Sequence, residues 1–231
     1  MSIIDGHTCI GDDGGTPNRR CLACFKEQTE GSWEIKRPEP QFAPIPGVLV
    51  LGIGHRARQG KDTVAAAMLQ AAPADVLRIG FADALYDYCR VVHDMTVKDP
   101  KLLQEAGVAL RETDPLVWVK AVYWKIIDKK PKVVVIPDVR FKNEAAFVKQ
   151  MGGYCIKVER RHVSMDPTLN DTPWVSADRD PNHVSECDLN DHAWDLTITN
   201  RDLFTIRHHA CTALNFFRQK HALEGATHAS R

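Results

Sequence analysis

From Val48 onward, apolar and polar positions alternate between two rhythms. Short runs of aliphatic and β-branched residues recur between longer stretches whose apolar positions fall three and four apart. The runs Val48–Leu51, Val76–Phe81, Lys132–Pro137, Tyr154–Val158 and Trp194–Thr199 read as strands. KVVVIP at 132–137 shows no polar alternation, as expected of a strand covered on both faces. The helical rhythm predicts helices from Val64 to about Gln70, over Asp83–His93, 101–111 and 115–128, and over Phe141–Met151 and Leu203–Arg218. Strand alternating with helix predicts an α/β fold, a three-layer sandwich around a mostly parallel sheet.

Three segments break the pattern. Residues 1–46 are rich in Gly, Pro, Asp and Arg and end in RPEPQFAPIPG, which reads as an N-terminal extension and linker. The stretch 160–190 is polar and holds Pro167, Pro173 and Pro181, so a loop or mobile lid is expected over about 161–182. A polar tail occupies 221–231, leaving 47–220 as the main domain.

Composition narrows the function classes. The 231 residues are 44% hydrophobic, enough for one substantial core, and 30 basic residues balance 30 acidic ones. That balance argues against a protein whose main business is coating nucleic acid. No apolar run reaches the roughly 18 residues of a membrane span, and MSIIDGHTC lacks the layout of a signal peptide. Seven scattered cysteines suit a reducing cytoplasm.

The chemistry concentrates in GVLVLGIGHRARQGKDTVAA, residues 47–66. An apolar strand leads through Gly54 into Gly60, Lys61, Asp62 and Thr63, and a helix follows. Strand, glycine-bearing loop, lysine and helix N-terminus form the order of a phosphate-binding P-loop. Backbone N–H groups and the helix dipole converge on one anion, and Lys61 adds a full charge. Arg58 lies in the same loop. Five residues separate Gly54 from Gly60 where four are usual, so either the loop is longer or His55 stands in the first glycine's place. Asp62 follows the lysine where Ser or Thr usually ligates magnesium, which leaves Asp62 and Thr63 as alternatives.

A second block, VVVIPDVRFKNE at 133–144, ends a buried strand in Asp138 with Arg140 two residues on. The C-terminal edge of an open α/β sheet is where ligands bind, and an acid there can help hold magnesium. The alternative is that Asp138 caps the following helix. Bringing two charged phosphates together requires cations, and Arg56, Arg58, Lys61, Arg111, Arg140, Arg160, Arg161 and Arg179 are the candidates. Arg160 ends a strand just before the polar segment, a natural place for a hinged lid.

In this order the blocks resemble the deoxynucleoside monophosphate kinases of tailed bacteriophages. The resemblance rests on GKDT (60–63), LLQEAG (102–107), WVK (118–120), IPDVR (136–140), MGGYCIKVER (151–160), His183-Val184-Ser185-Glu186 and DLTITN (195–200), covering about 47–215. It implies a nucleoside-monophosphate-kinase-like P-loop fold, ATP and Mg2+ as cofactors, and phosphorylation of a deoxynucleoside 5′-monophosphate in the (host) cytoplasm. Lys61, Asp138, Arg140 and Arg160 would be catalytic. Gly54, Arg58, Gly60, Lys61, Asp62 and Thr63 would hold the donor. Phe81, Gln104, Arg111, Trp118 and Arg140 would hold the acceptor, with Phe81 and Trp118 stacking on its base unless they belong to the core. Asp83 is read as a helix cap, with orientation of the substrate as the alternative, and His183 and Glu186 as pairing with each other or ordering the lid. The expected partner is a small nucleotide, without membrane or nucleic acid; a homodimer is left open.

The extension adds His7, Cys9, Cys21 and Cys24, an H-x-C and C-x2-C set with the ligand types of a small structural zinc site. An arm without metal is the competing reading. Two other functions remain open: a P-loop kinase of another small phosphorylated metabolite, and a zinc-bearing, nucleic-acid-associated NTPase.

Overall fold

The computed structural model describes residues 39–166, 168, 170–174 and 182–229, with short strands at Ser2–Ile4 (β1) and His7–Cys9 (β2) that pair antiparallel. The chain divides into two compact units, 1–41 and 42–231. The second is built on five strands: β3 (Leu49–Gly54), β4 (Val76–Arg78), β5 (Val133–Val139), β6 (Tyr154–Arg160) and β7 (Leu196–Asn200). Their order is β4-β5-β3-β6-β7, and every pairing is parallel. This is the expected α/β sandwich, with a fully parallel main sheet.

Alternation along the strands sorts the core into two layers. Val50, Val134 and Ile136 point to one face, where they pack with α2 (Phe81–Val92), α3 (Pro100–Thr113), α4 (Val117–Lys129) and α5 (Lys142–Gln150). Leu49, Leu51, Ile53, Val133 and Val135 point to the other, against α1 (Lys61–Ala71) and α7 (Leu203–Ala229). β3 and the stretch Val133–Pro137 of β5 are therefore apolar, because neither face meets water.

Several boundaries differ from the sequence reading. β4 stops at Arg78 because Gly80 turns the chain and Phe81 already opens α2. A four-residue helix, α6 (Val184–Cys187), lies within the stretch expected to be loop. The residues read as a polar tail continue α7 to Ala229, where Tyr154 donates to Glu224 at 2.5 Å. The proline-rich linker also joins the core earlier than expected. Phe42 packs edge-on against Tyr123 (5.3 Å between centroids) and Phe147 (5.1 Å), and Ile45 packs beside it. Among the described residues no helix is long and apolar enough to cross a membrane.

The two aromatic contacts make Phe42 part of the second unit's core. Phe42→Ala should lower its stability by about 1–3 kcal/mol, because a half-buried ring loses both area and ring pairing. The midpoint of denaturant unfolding reads this directly.

Candidate functional site

The site forms where β3 and β5 end side by side. β3 delivers the chain into a loop, 55–60, that closes over its own lysine. Lys61 is the first residue of α1 and only 6% exposed. Its Nζ donates to the carbonyls of His55 (3.0 Å) and Arg56. Burial, followed by the nearby charge of Arg140, lowers the Lys61 pKa to about 8. Gly60 caps α1 at φ 107° and supplies no side-chain acceptor, so the first N–H groups of the helix face the loop.

The loop spacing is settled by conformation. Gly54 remains in β3, whereas His55 adopts φ 86°. His55 therefore stands where the first loop glycine is usual, and the spacing from there to Gly60 is the ordinary one. Its ring sits edge-on to Trp194 at 6.2 Å, and burial lowers its pKa to about 4, keeping the imidazole neutral. Gly54 admits no side chain, since a Cβ there would lie 2.7 Å from the Val139 carbonyl. Arg58 also has positive φ and is exposed.

Gln59, 3% exposed, was absent from the sequence reading and ties the loop to the sheet edge. Its side chain accepts from the Arg160 N–H and donates to the Trp174 carbonyl at 3.0 Å, and its own carbonyl accepts from Asn200 Nδ2 at 2.8 Å. The Arg160 guanidinium lies 4.6 Å over the Trp174 ring. The base of the 161–173 excursion is thus fastened to the loop beside Lys61.

Asp138 does not cap the helix that follows it. Its two oxygens accept from the N–H groups of Phe81 (2.9 Å) and Ala82 (2.8 Å), at the start of α2. Burial raises its pKa against the pull of those two donors. Asp83 closes the same turn, accepting from the Gly80 N–H at 2.7 Å, as the cap reading expects. Between the two carboxylates lies a space that a Cβ on Gly80 would fill, 2.9 Å from Asp138 Oδ2 and 3.0 Å from Asp83 Oδ1.

Each carboxylate oxygen of Asp138 keeps a second lone pair, so this cradle suits a hydrated Mg2+, which takes few protein ligands and retains water. Asp62 fits that role less well. It is exposed on the outside of α1 and held by Arg78 at 3.2 Å. Arg78 also lies 3.7 Å from Asp83, a basic partner that nothing in the sequence pattern marked. Thr63 is half-buried in the first turn of α1.

The arginines are braced from within. Arg140 donates from NH1 to Glu186 Oε1 at 2.9 Å, and its backbone N–H goes to Glu144 Oε2 at 2.8 Å. Arg111 donates to the Gly107 carbonyl at 3.3 Å, approaches Glu144 Oε1 at 3.7 Å and stacks 4.8 Å over Phe141. Burial pushes the Glu144 carboxyl up to about 8. The side chains of His183 and Glu186 do not pair, although the Glu186 N–H donates to the His183 carbonyl at 2.8 Å. His183 Nδ1 accepts from the Ser185 N–H as the cap of α6, while Glu186 reaches Arg140 and the loop.

The structure gives Phe81 and Trp118 to the core, 2% and 5% exposed, with Phe81 edge-on to Phe147. Neither presents a face on which a base could stack. Gln104 is exposed in a shallow groove with Lys101, Glu105, Val108, Ala109 and Glu112, on the outer surface of α3. Arg179, Cys21 and Cys24 lie outside the described residues, as do the side chains of His7 and Cys9. Among the described residues no three His, Cys, Asp or Glu side chains cluster as a metal site.

No protein-family model matches the chain. A 47-residue stretch, 20% of the chain, is 49% identical to a protein of Acanthamoeba polyphaga mimivirus named "Putative deoxynucleotide monophosphate kinase". The match spans 24% of that relative's length. Among solved structures, a gluconokinase from Sinorhizobium meliloti 1021 aligns over 80% of this chain and 99% of its own, with 13% identity and a TM-score of 0.40.

The strained conformation at His55 is separable from its ring contacts. His55→Gly and His55→Ala both remove the ring, but only Gly takes the observed φ freely. The Gly variant should be the more stable of the two by about 1 kcal/mol, as measured by chemical denaturation.

Proposed function

We propose that the chain is an ATP-dependent phosphotransferase that converts a deoxynucleoside 5′-monophosphate to its diphosphate. The observation that carries the reading is Lys61, buried beneath a loop at the end of β3 and held by loop carbonyls, beside a helix N-terminus without a side-chain cap. A buried ammonium at an open helix end is a receptor for phosphate. The partial likeness to a viral protein named for deoxynucleotide monophosphate phosphorylation, and the resemblance of the ordered motifs, supply the acceptor class.

In this mechanism the donor phosphates lie across the N–H groups of the loop and of the first turn of α1. Lys61 exchanges its carbonyl partners for phosphate oxygens and follows the transferring group. Arg140 and Arg111, entering from β5 and α3, neutralise the acceptor phosphate so that the two anions approach in line. Asp138, with Asp83 beside it, would hold Mg2+, which would supply charge neutralisation for the donor phosphates. No general base is needed, because the acceptor is already an anion. Arg160, fastened to Gln59, stands at the base of the segment that would exclude water.

The deciding experiment is ADP release with ATP and magnesium against dAMP, dGMP, dCMP, dTMP, their ribo counterparts and a blank. Turnover confined to deoxynucleotides supports the proposal. Turnover in the blank, or with none of these acceptors, removes it. Lys61→Ala should cut kcat by at least about a hundredfold while leaving the unfolding midpoint nearly unchanged.

The lowered Lys61 pKa gives a second test. Because its charged form is disfavoured on folding, Lys61 loses its proton near pH 8 in the free protein, below its usual 10.5. Bound phosphate restores the charge. Nucleotide binding should therefore take up a proton between about pH 8 and 10.5, and affinity should fall as pH rises through that window. Calorimetry at pH near 9 in two buffers of different ionisation enthalpy reads the uptake, which should vanish in Lys61→Met.

A further inference from the structure

Among the described residues, Glu186 is the acidic side chain buried against both the loop and an arginine of the site. Its side chain is 5% exposed. Oε2 accepts from the Ala57 N–H of the phosphate loop at 2.7 Å, and Oε1 accepts from Arg140 NH1 at 2.9 Å. One carboxylate thus joins three separate pieces of chain: the loop after β3, the residue just past β5 and the short helix α6. A negative charge so close to a site built to attract phosphate is unfavourable for substrate unless it does something else.

Two roles are compatible with these contacts. Glu186 could be an internal stand-in for phosphate that leaves when nucleotide arrives, or a permanent brace. Burial decides between them. Removing one partner from a buried, hydrogen-bonded ion pair leaves an uncompensated charge behind, a heavy cost for a ligand to meet at each turnover. Ala57 itself is 3% exposed, so its amide is covered on the side where Glu186 sits. Arg140 is different: its side chain is 27% exposed, and only NH1 is committed to Glu186.

We propose that Glu186 is a positioning residue that fixes the phosphate loop and Arg140 as one rigid unit and aims the remaining edge of the guanidinium at the acceptor phosphate. This rests on the phosphoryl-transfer reading above. The contacts alone make the brace; the reading supplies what it aims at. The Arg140 backbone is already held by Glu144, so Glu186 governs the head of the side chain rather than its root. Glutamine at 186 keeps the shape but replaces one acceptor oxygen with an NH2 group, which opposes either the Ala57 N–H or the guanidinium.

The test is a double-mutant cycle in the full chain, with Glu186→Gln, Arg140→Ala and the pair, each checked by thermal unfolding. If Glu186 acts through Arg140, Glu186→Gln lowers kcat/KM for the acceptor by about tenfold or more when Arg140 is present, and by less than about threefold when it is Ala. Equal losses in both backgrounds, or wild-type kinetics in Glu186→Gln, overturn the proposal. Glu186→Asp, whose shorter arm reaches only one partner, should fall between the two. Unfolding of both the Gln and the Asp variants also overturns it, because Glu186 would then hold the fold rather than aim Arg140. Should the wild-type protein phosphorylate no nucleotide, the functional reading fails by itself. The same cycle read as affinity for inorganic tripolyphosphate then decides Glu186: coupled losses support the brace, and additive losses remove it.

Discussion

β3 has parallel neighbours on both sides and a helical layer on both faces, and the site depends on that confinement. At Gly54 the chain can neither widen the sheet nor carry a side chain past the Val139 carbonyl. It must leave over the C-terminal edge in one tight loop and re-enter as α1. β5, paired with β3 from Leu49 and Val133 onward with a register shift between Gly52 and Gly54, ends at the same edge and delivers Asp138 and Arg140 beside that loop. Parallel pairing of two strands buried on both faces thus fixes the distance between the lysine and the residues that face it.

Gathering cations at a dry edge is costly unless each has an acceptor, and the chain provides one for each of the central groups. Lys61 is held by loop carbonyls, Arg140 by Glu186, Arg111 by the Gly107 carbonyl with Glu144 nearby, and Arg78 by Asp62. Such pairs contribute little net stability once desolvation is counted. Their effect is orientation, holding long side chains in one arrangement before a substrate arrives. The N-terminus of α1, by contrast, has no side-chain cap, and the proposed function places phosphate there.

Much of this was legible along the chain. The short apolar runs and the helical rhythm marked every strand of the main sheet and all of its helices except the short α6, and the P-loop order pointed to Lys61 from its neighbours alone. The partners of Glu186 were not legible, because 129 residues separate it from Ala57 and 46 from Arg140. In sequence Asp138 reads as a magnesium-holding acid, with a cap of the following helix as the alternative; its oxygens in fact accept from the start of α2, 56 and 57 residues upstream. Phe81 and Trp118 look alike in sequence whether they stack on a base or fill a core, since an aromatic ring suits both.

The sequence by itself determined the α/β class, the place of the glycine-bearing loop before α1 and the chemical character of the edge that carries it. These follow from local periodicity and from the fixed φ demands of a loop between strand and helix. Only the tertiary structure decided that His55 takes the glycine's place, that Gln59 ties the loop to Arg160, and that one buried carboxylate serves both the loop and Arg140. These outcomes depend on which distant segments share a small desolvated volume. There a hydrogen bond forms wherever a donor would otherwise be left unpaired, whatever the separation along the chain.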